Sequence, residues 1–157
     1  MAQQNYGQYQ IKVPIREVGA NMKVSGVTLP SRTYMSNKLV PGCNVYVEYS
    51  WIYQMPDPAL VVPSVHSHPY EQVTLMIGSD PQNPENLGAV VENYLGGERM
   101  TSDKTNAIYI PKGAEHGRVC WKSFERPHLL MSITLGTGDF EKANPGGYNK
   151  NRTFPAL

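Results

Sequence analysis

Hydrophobic and polar residues alternate along several short stretches of the chain. Between positions 43 and 53 the odd positions are apolar or aromatic, whereas Asn44, Glu48 and Ser50 stand at even positions. Alternation with period two is typical of a β-strand with one buried face. The pattern therefore predicts a strand over 43–53 with the odd side chains in the core, including the aromatic residues Tyr49, Trp51 and Tyr53.

Five further strands are predicted at about 72–77, 89–95, 107–110, 116–121 and 128–135. In the last of these we expect a buried apolar face opposite a polar face, formed respectively by Leu129, Met131, Ile133 and Leu135 and by His128, Ser132 and Thr134. The chain holds 14 Gly and 13 Pro, which favour turns over long helices. Many short strands separated by turn residues predict an all-β sandwich or barrel.

No internal repeat divides the 157 residues, a length that suits one domain. We expect a single domain over 1–157 with its core at about 36–136, an N-terminal arm over 1–35 and a polar C-terminal tail over 137–157. The formal net charge is +1 and no Lys/Arg run occurs, so no nucleic acid partner is expected.

The beginning of the chain lacks an apolar signal-peptide core, and no apolar run approaches the length of a membrane span. These features predict a cytoplasmic protein without a membrane partner. Cys43 and Cys120 are far apart and match no cysteine metal motif, so we interpret them as buried thiols in a reducing compartment.

Two histidines, His66 and His68, stand one residue apart. On a strand, residues i and i+2 project to the same face, so the two imidazoles can share one metal ion. A His-x-His pair also occurs often by chance, and two ordinary half-buried histidines are the alternative.

A second motif lies further along, where Pro111, Gly113 and His116 form Pro-x-Gly-x-x-His after an apolar strand. Together, the two segments resemble the motifs of the cupin superfamily over about residues 60–121. This resemblance implies a single-domain cupin jelly-roll β-barrel. It also implies one bound divalent transition metal, which can be Mn, Fe, Ni, Zn or Cu, held by His66, His68, His116 and one oxygen ligand. A homodimer is expected because small cupins often form one.

Two residues compete for the oxygen position, Glu71 and Gln72. The family usually has Glu there, and a carboxylate is the stronger oxygen donor. Spacing favours Gln72, because three residues separate it from His68 and because 66, 68 and 72 share strand parity. A β-bulge after His68 would reverse this argument in favour of Glu71.

Three residues are candidates for proton transfer or substrate binding near the metal. Tyr70 shares the parity of the ligands, Arg118 shares the parity of His116 and can clamp a carboxylate, and His128 lies on the polar face of its strand. Their structural alternatives are a packing aromatic, a surface arginine and a structural histidine.

The predicted function is that of a metal-dependent enzyme that acts on a small oxygenated substrate, which can be anionic or enolisable, through Lewis-acid catalysis. The reaction type stays open between dioxygenase, lyase and isomerase because the cupin fold serves all three. The alternative is a non-catalytic cupin that binds a sugar or another small ligand.

Overall fold

A computed structural model describes residues 6–62 and 65–143 of the chain. Its ten strands are β1 (Ser25–Val27), β2 (Arg32–Met35), β3 (Val45–Asp57), β4 (Leu60–Val62), β5 (Glu71–Gly78), β6 (Asn86–Leu95), β7 (Glu98–Lys104), β8 (Asn106–Ile110), β9 (His116–Phe124) and β10 (His128–Leu135). A 3-10 turn over Tyr6–Tyr9 and a single-turn helix, α1 (Phe140–Ala143), complete the elements.

The strands pair into two antiparallel sheets that pack face to face. Sheet A has the order β1-β3-β10-β5-β8 with β2 also paired to β3, and sheet B has the order β4-β9-β6-β7. From β7 onward the chain alternates between the sheets, with β8 and β10 in sheet A and β9 in sheet B. The result is the all-β jelly-roll architecture that the sequence predicts.

All six predicted strands occur, each within a few residues of its expected bounds. Four others were not predicted, namely β1, β2, β4 and β7. The first two pair with β3, so sheet A begins within the predicted N-terminal arm rather than at about residue 36. Of the predicted tail, residues 137–143 are described and include α1, and the remainder lies outside the described residues.

The predicted orientation of two strands is wrong. In β3 the buried side chains are at even positions, from Tyr46 to Ile52, whereas Trp51 and Tyr53 are 38% and 51% exposed. In β10 the ends of the polar face, His128 and Thr134, are buried, while the predicted apolar core face is only partly buried. Alternation separates the two faces of a strand but does not tell which one turns inward, and here the polar face turns inward.

Registers across sheet A align these inner side chains into rows. One row joins Ser50, Leu130 and Met76, the next joins Glu48, Ser132 and Thr74, and the third joins Tyr46, Thr134, Gln72 and Ile110. The main hydrophobic core lies between the sheets beside the first row, with members such as Ile52, Val91 and Trp121. The rows that follow it are polar, which leaves the other end of the sandwich suited to a binding site.

The helices within residues 6–62 and 65–143 are single turns of four residues, and none has the length or hydropathy to cross a membrane.

Candidate metal centre

Backbone hydrogen bonds hold the two histidine motifs together. The amide of His66 donates to the carbonyl of His116 and the amide of His116 donates back, each at 2.9 Å. The amide of Gly113 donates to the carbonyl of His68 at 2.9 Å. Gly113 has φ +75°, which glycine adopts without strain, so the Pro-x-Gly turn can close against the first motif.

This pairing gathers three imidazoles. The ring centroids of His66 and His116 are 4.3 Å apart, and those of His68 and His116 are 4.8 Å apart. One ring nitrogen from each of the three lies within 4.8 Å of the others. Ligand nitrogens about 2.1 Å from one shared ion would be roughly 3–4 Å apart, so a small rotation of the rings completes a site.

Hydrogen bonds fix which ring nitrogens face the site. Nδ1 of His116 donates to the carbonyl of Ala114 at 2.9 Å, and Nδ1 of His68 donates to the carbonyl of Tyr70 at 2.8 Å. A carbonyl only accepts, so each Nδ1 carries the hydrogen and each Nε2 presents a lone pair. Nε2 of His116 is buried without a hydrogen-bond partner. A bound metal ion would accept its lone pair.

The amide of Gln72 completes the cluster. Its Nε2 donates to the Thr74 hydroxyl at 3.1 Å, which turns its Oε1 toward Nε2 of His68 at 3.0 Å. These two facing atoms are both acceptors when His68 carries its hydrogen on Nδ1, and a shared cation satisfies both. The four side chains therefore fit a divalent transition metal.

Glu71 lies on the opposite face of β5. Its carboxylate is 3.9 Å from Nζ of Lys112, and it contacts the hydroxyl of Tyr109. The register of β5 with β10 is regular from Glu71 to Gly78, so no bulge resets the alternation within that strand. This placement agrees with Gln72 as the inward residue of the pair.

Burial lowers the pKa of His116 from its ordinary value to about 4, and the neighbouring His66 and His68 add a smaller effect in the same direction. Taking the imidazole out of water disfavours its charged form. His116 is therefore neutral at pH 7, which is the protonation state that binds a metal.

A cavity between the sheets opens onto this cluster, and His66, Gln72 and His116 form part of its wall. Its volume is about 90 Å³, and about 10–15 Å³ suffices for one water. The remaining wall is largely apolar, with the polar side chains Ser31, Glu48, Ser50, Thr74, Asn93 and Ser132 among it. The cavity can hold a small organic molecule beside the metal site.

Glu48 is the acidic group of this wall, and it was not among the candidate residues predicted from the sequence. The side chain is 7% exposed and its Oε2 has no hydrogen-bond partner. The Ser31 hydroxyl bonds to the carboxyl group and is itself 3.0 Å from the Ser50 hydroxyl. Within the part of the chain that the structure describes, no cation pairs with Glu48.

Burial raises the pKa of Glu48 to about 8, because desolvation of the carboxylate outweighs the hydrogen bond from Ser31. At pH 7 the group is therefore predominantly a neutral acid. A carboxyl group within the alternating strand 43–53 was the available sequence signal, but it was assigned to the solvent face.

The predicted catalytic residues are not gathered around the metal cluster. Tyr70 holds His68 through its backbone carbonyl, while its ring lies close to Gly136 and outside the cavity wall. The Tyr70 side chain therefore packs near Gly136 and does not face the cavity.

Arg118 was expected on the face of His116, and this placement is wrong. Glu92 pairs with Cys120 and Tyr94 pairs with Gly117, so β9 holds one more residue than β6 between these pairs. Gly117 and Arg118 have φ of 114° and 55° at this bulge. The bulge resets the alternation, and Arg118 lies in a separate surface pocket with Arg99 and Lys122.

His128 turns inward, but it lies at the other end of sheet A from the metal cluster. It pairs with Gly78, six residues along β5 from Gln72, which corresponds to about 20 Å along a strand. Its Nδ1 donates to the carbonyl of Arg126 at 3.0 Å, and its Nε2 accepts from Nε1 of Trp121 at 2.9 Å. Both ring nitrogens are thus hydrogen-bonded within the protein. His128 is therefore a structural histidine and does not face the metal cluster.

Solved structures share this architecture. A protein described as a predicted oxalate decarboxylase from Thermotoga maritima aligns with a TM-score of 0.51 at 8% identity, over 82% of this chain and 95% of that chain. The fold is that of a cupin. An RmlC-like cupin from Shewanella frigidimarina aligns with a TM-score of 0.47 at 12% identity, over 87% of this chain and 93% of that chain.

KdgF from Halomonas sp. aligns with the cupin fold of this chain at a TM-score of 0.47 and 14% identity, over 80% of this chain and 96% of that chain. No model of a protein family matches the sequence, and no curated protein gives a significant match. At 8% identity the Thermotoga maritima structure supports the fold alone, and the chemistry has to be argued from the site.

Proposed function

We propose that this cupin is a metal-dependent enzyme acting on a small oxygenated organic molecule. The observation that carries the proposal is that His66, Gln72 and His116 share the wall of one cavity with a buried carboxyl group, Glu48, whose pKa burial raises to about 8. A metal site, a space for substrate and a proton-carrying group next to that space are the elements of such chemistry.

His66, His68, His116 and Gln72 would hold the metal. Three neutral imidazoles and a neutral amide leave the charge of a divalent ion uncompensated, so the bound ion would supply strong Lewis acidity. The Thr74 hydroxyl orients the Gln72 amide, and the backbone carbonyls of Ala114 and Tyr70 orient two of the imidazoles. The site therefore favours a ligand that presents an anionic or enolisable oxygen.

The other residues of the cavity bind the body of the substrate and handle a proton. Apolar side chains such as Leu130, Ile108 and Val119 line the space and exclude water from it. We propose that the Glu48 carboxyl group donates or accepts the proton, since its raised pKa lies near neutrality. Tyr70, Arg118 and His128 are not assigned to this step.

A largely apolar wall suits a compact carbon skeleton with few hydroxyl groups better than a sugar, which was the alternative ligand. A substrate bound to the metal through oxygen can enter a dioxygenase, a lyase or an isomerase reaction, and the proposal covers that binding step. A cytoplasmic location without nucleic acid or membrane partners stays a prediction.

The test is turnover by protein reconstituted separately with Mn, Fe, Ni, Zn and Cu. Oxygen uptake and ultraviolet absorbance would be followed on a panel of phenols, keto acids and enols. The proposal expects turnover with at least one metal and its loss in Glu48→Gln, which keeps the shape of the side chain. The Glu71→Gln variant is the matched control on the opposite face of sheet A and should keep activity.

Two outcomes would overturn the proposal. Ligand binding by the metal-loaded protein without turnover would favour the non-catalytic alternative. Equal turnover in metal-free and metal-loaded protein would remove the metal from the reaction.

A further inference from the structure

A second pocket lies on the outer side of sheet B. Along β6 and β9, Val91 and Trp121 are buried in the core, and Glu92, Cys120 and Lys122 alternate with them and line the outer pocket. Its volume is about 290 Å³, close to the lower end of the roughly 300–1,000 Å³ of typical small-molecule sites. This outer pocket therefore opens on the opposite side of sheet B from the cavity beside the metal cluster.

Three cationic side chains and one carboxylate line the outer pocket. Nζ of Lys122 is 3.6 Å from a carboxylate oxygen of Glu92, so these two charges offset each other. Arg99 and Arg118 also line the pocket, and neither forms an ion pair within residues 6–62 and 65–143. The outer pocket therefore has an excess of two positive charges, carried by two unpaired guanidinium groups that do not lose their protons in proteins.

The register of sheet B brings the two arginines to the same pocket. Arg99 pairs with Tyr94 across β7 and β6, and Tyr94 pairs with Gly117 across β6 and β9. Arg118 follows Gly117 and thus stands two strands from Arg99, which is roughly 10 Å at about 4.8 Å per strand. Both side chains line the space between them, so one small ligand can contact both guanidinium groups.

The bulge in β9 sets the direction of Arg118. Regular alternation would place Arg118 on the inner face with His116, two residues away. The bulge turns it outward at φ 55°, a conformation that is unfavourable for a residue with a Cβ atom. Backbone outliers of this kind cluster at functional sites, and bulges re-aim side chains. The strained bulge therefore supports a role for Arg118 in the outer pocket beyond that of a solvated surface residue.

We propose that the outer pocket binds a small anion that carries a phosphate group. Such a group bears a charge of about −1.5 to −2 at pH 7, which matches the two unpaired guanidinium groups. Each guanidinium can donate two parallel hydrogen bonds to phosphate oxygens. Val65 and Tyr94 border the pocket and offer apolar surface to the carbon part of a phosphate monoester.

The shape and charge of the molecule favour a small ligand over a nucleic acid. A nucleic acid requires an extended basic surface that contacts many phosphates. The outer pocket is concave and has two unpaired cations, and the whole chain has a net charge of only +1. The inference is independent of the metal site, because the metal ligands lie on the other side of β9.

Isothermal titration calorimetry of the full chain with inorganic phosphate and with glycerol phosphate tests the proposal. Wild-type protein should bind both with a dissociation constant of about 1 mM or lower. Arg99→Gln and Arg118→Asn should each weaken binding by about 10-fold or more, because each removes charge-assisted hydrogen bonds. Asn tolerates a positive φ. Lys104→Gln removes an equal charge at an exposed position of β7 and should bind as wild type does.

A bound metal is a second place where an anion could bind, and one variant separates the two sites. His66→Ala removes a metal ligand and leaves the outer pocket intact, so it should keep phosphate binding. Arg99→Gln should conversely keep the metal content of wild-type protein.

Alkylation of Cys120 provides a measurement that needs no variant. Cys120 lines the outer pocket, and the other free thiol, Cys43, is the internal reference. Iodoacetate and iodoacetamide both alkylate a thiolate with loss of iodide, but only iodoacetate is an anion. The pocket should therefore raise the ratio of Cys120 to Cys43 alkylation for iodoacetate above the ratio for iodoacetamide. Glycerol phosphate should slow alkylation of Cys120 and leave Cys43 unaffected, as read by peptide mass spectrometry.

Several outcomes would overturn the proposal. These are the absence of saturable phosphate binding by calorimetry and by phosphorus NMR, binding unchanged in Arg99→Gln/Arg118→Asn, and equal weakening by Lys104→Gln. Loss of binding in folded His66→Ala would place the anion on the metal. Tighter binding of succinate or of a single-stranded oligonucleotide than of glycerol phosphate would assign the pocket to another class of ligand.

Discussion

Replacement of Glu48 by Gln should change how the stability of the protein depends on pH. Burial raises the pKa of this carboxyl group from 4.5 to about 8. Between these two values the unfolded chain releases the proton while the folded protein keeps it. The folded state then binds more protons than the unfolded state, so stability falls as pH rises through this interval.

The magnitude follows from the linkage between proton binding and folding. One pKa unit corresponds to 1.36 kcal/mol, so Glu48 lowers the free energy of unfolding by about 3 kcal/mol at pH 7 relative to pH 4.5. The loss continues to about pH 8 and then levels off. Gln has a similar shape and no proton to release, so Glu48→Gln should be about 3 kcal/mol more stable than wild type at pH 7 and similar to it at pH 4.5.

Urea denaturation of metal-free protein, followed by circular dichroism at several pH values from 4.5 to 8, measures this difference. Contributions from the histidines cancel because they are present in both proteins. Glu71→Gln, at the exposed carboxyl group 3.9 Å from Lys112, is the control and should follow the wild-type curve. Parallel curves for wild type and Glu48→Gln would refute a neutral acid at position 48.

Three further predictions concern other residues. Gln72→Glu should retain the metal and bind an anionic ligand more weakly, since it lowers the charge of the site by one unit, whereas Glu71→Ala should leave metal content unchanged; the reverse pattern in a metal analysis would assign the ligand to Glu71. His128→Ala should destabilise the protein by about 2–4 kcal/mol, because it opens a cavity and removes the acceptor of Trp121, with metal content unaffected; metal loss in folded protein would contradict this. Cys43→Ser/Cys120→Ser should keep the metal and any activity found, because both thiols are free and only partly buried; loss of turnover in folded, fully metallated protein would assign them a role.

The histidine cluster could be predicted because its ligands lie in two short sequence motifs with recognisable spacings. The sequence spacing within each motif places its histidines correctly, because each motif lies in a short local segment. Two backbone hydrogen bonds between His66 and His116 then bring the two motifs together. The inward position of Gln72 was likewise predictable, because β5 is regular from its first residue. The strand positions followed from alternation alone.

The remaining features depend on information that one strand does not contain. Whether an apolar face of a strand turns toward the core or toward solvent depends on the opposite sheet, so Trp51 and Tyr53 were assigned to the wrong side. The bulge at Gly117 misplaced Arg118. The occupied ring nitrogens of His128 and the burial of Glu48 arise from contacts between distant segments.

We propose that His66, His68, His116 and Gln72 together hold one divalent metal beside the cavity. Elemental analysis by mass spectrometry tests this site in wild-type protein and in a His66→Ala/His116→Ala double variant, purified side by side without added metal. We expect about one metal ion per wild-type chain and nearly none in a double variant whose circular dichroism shows that it is folded. Full metal occupancy in the folded double variant would contradict it.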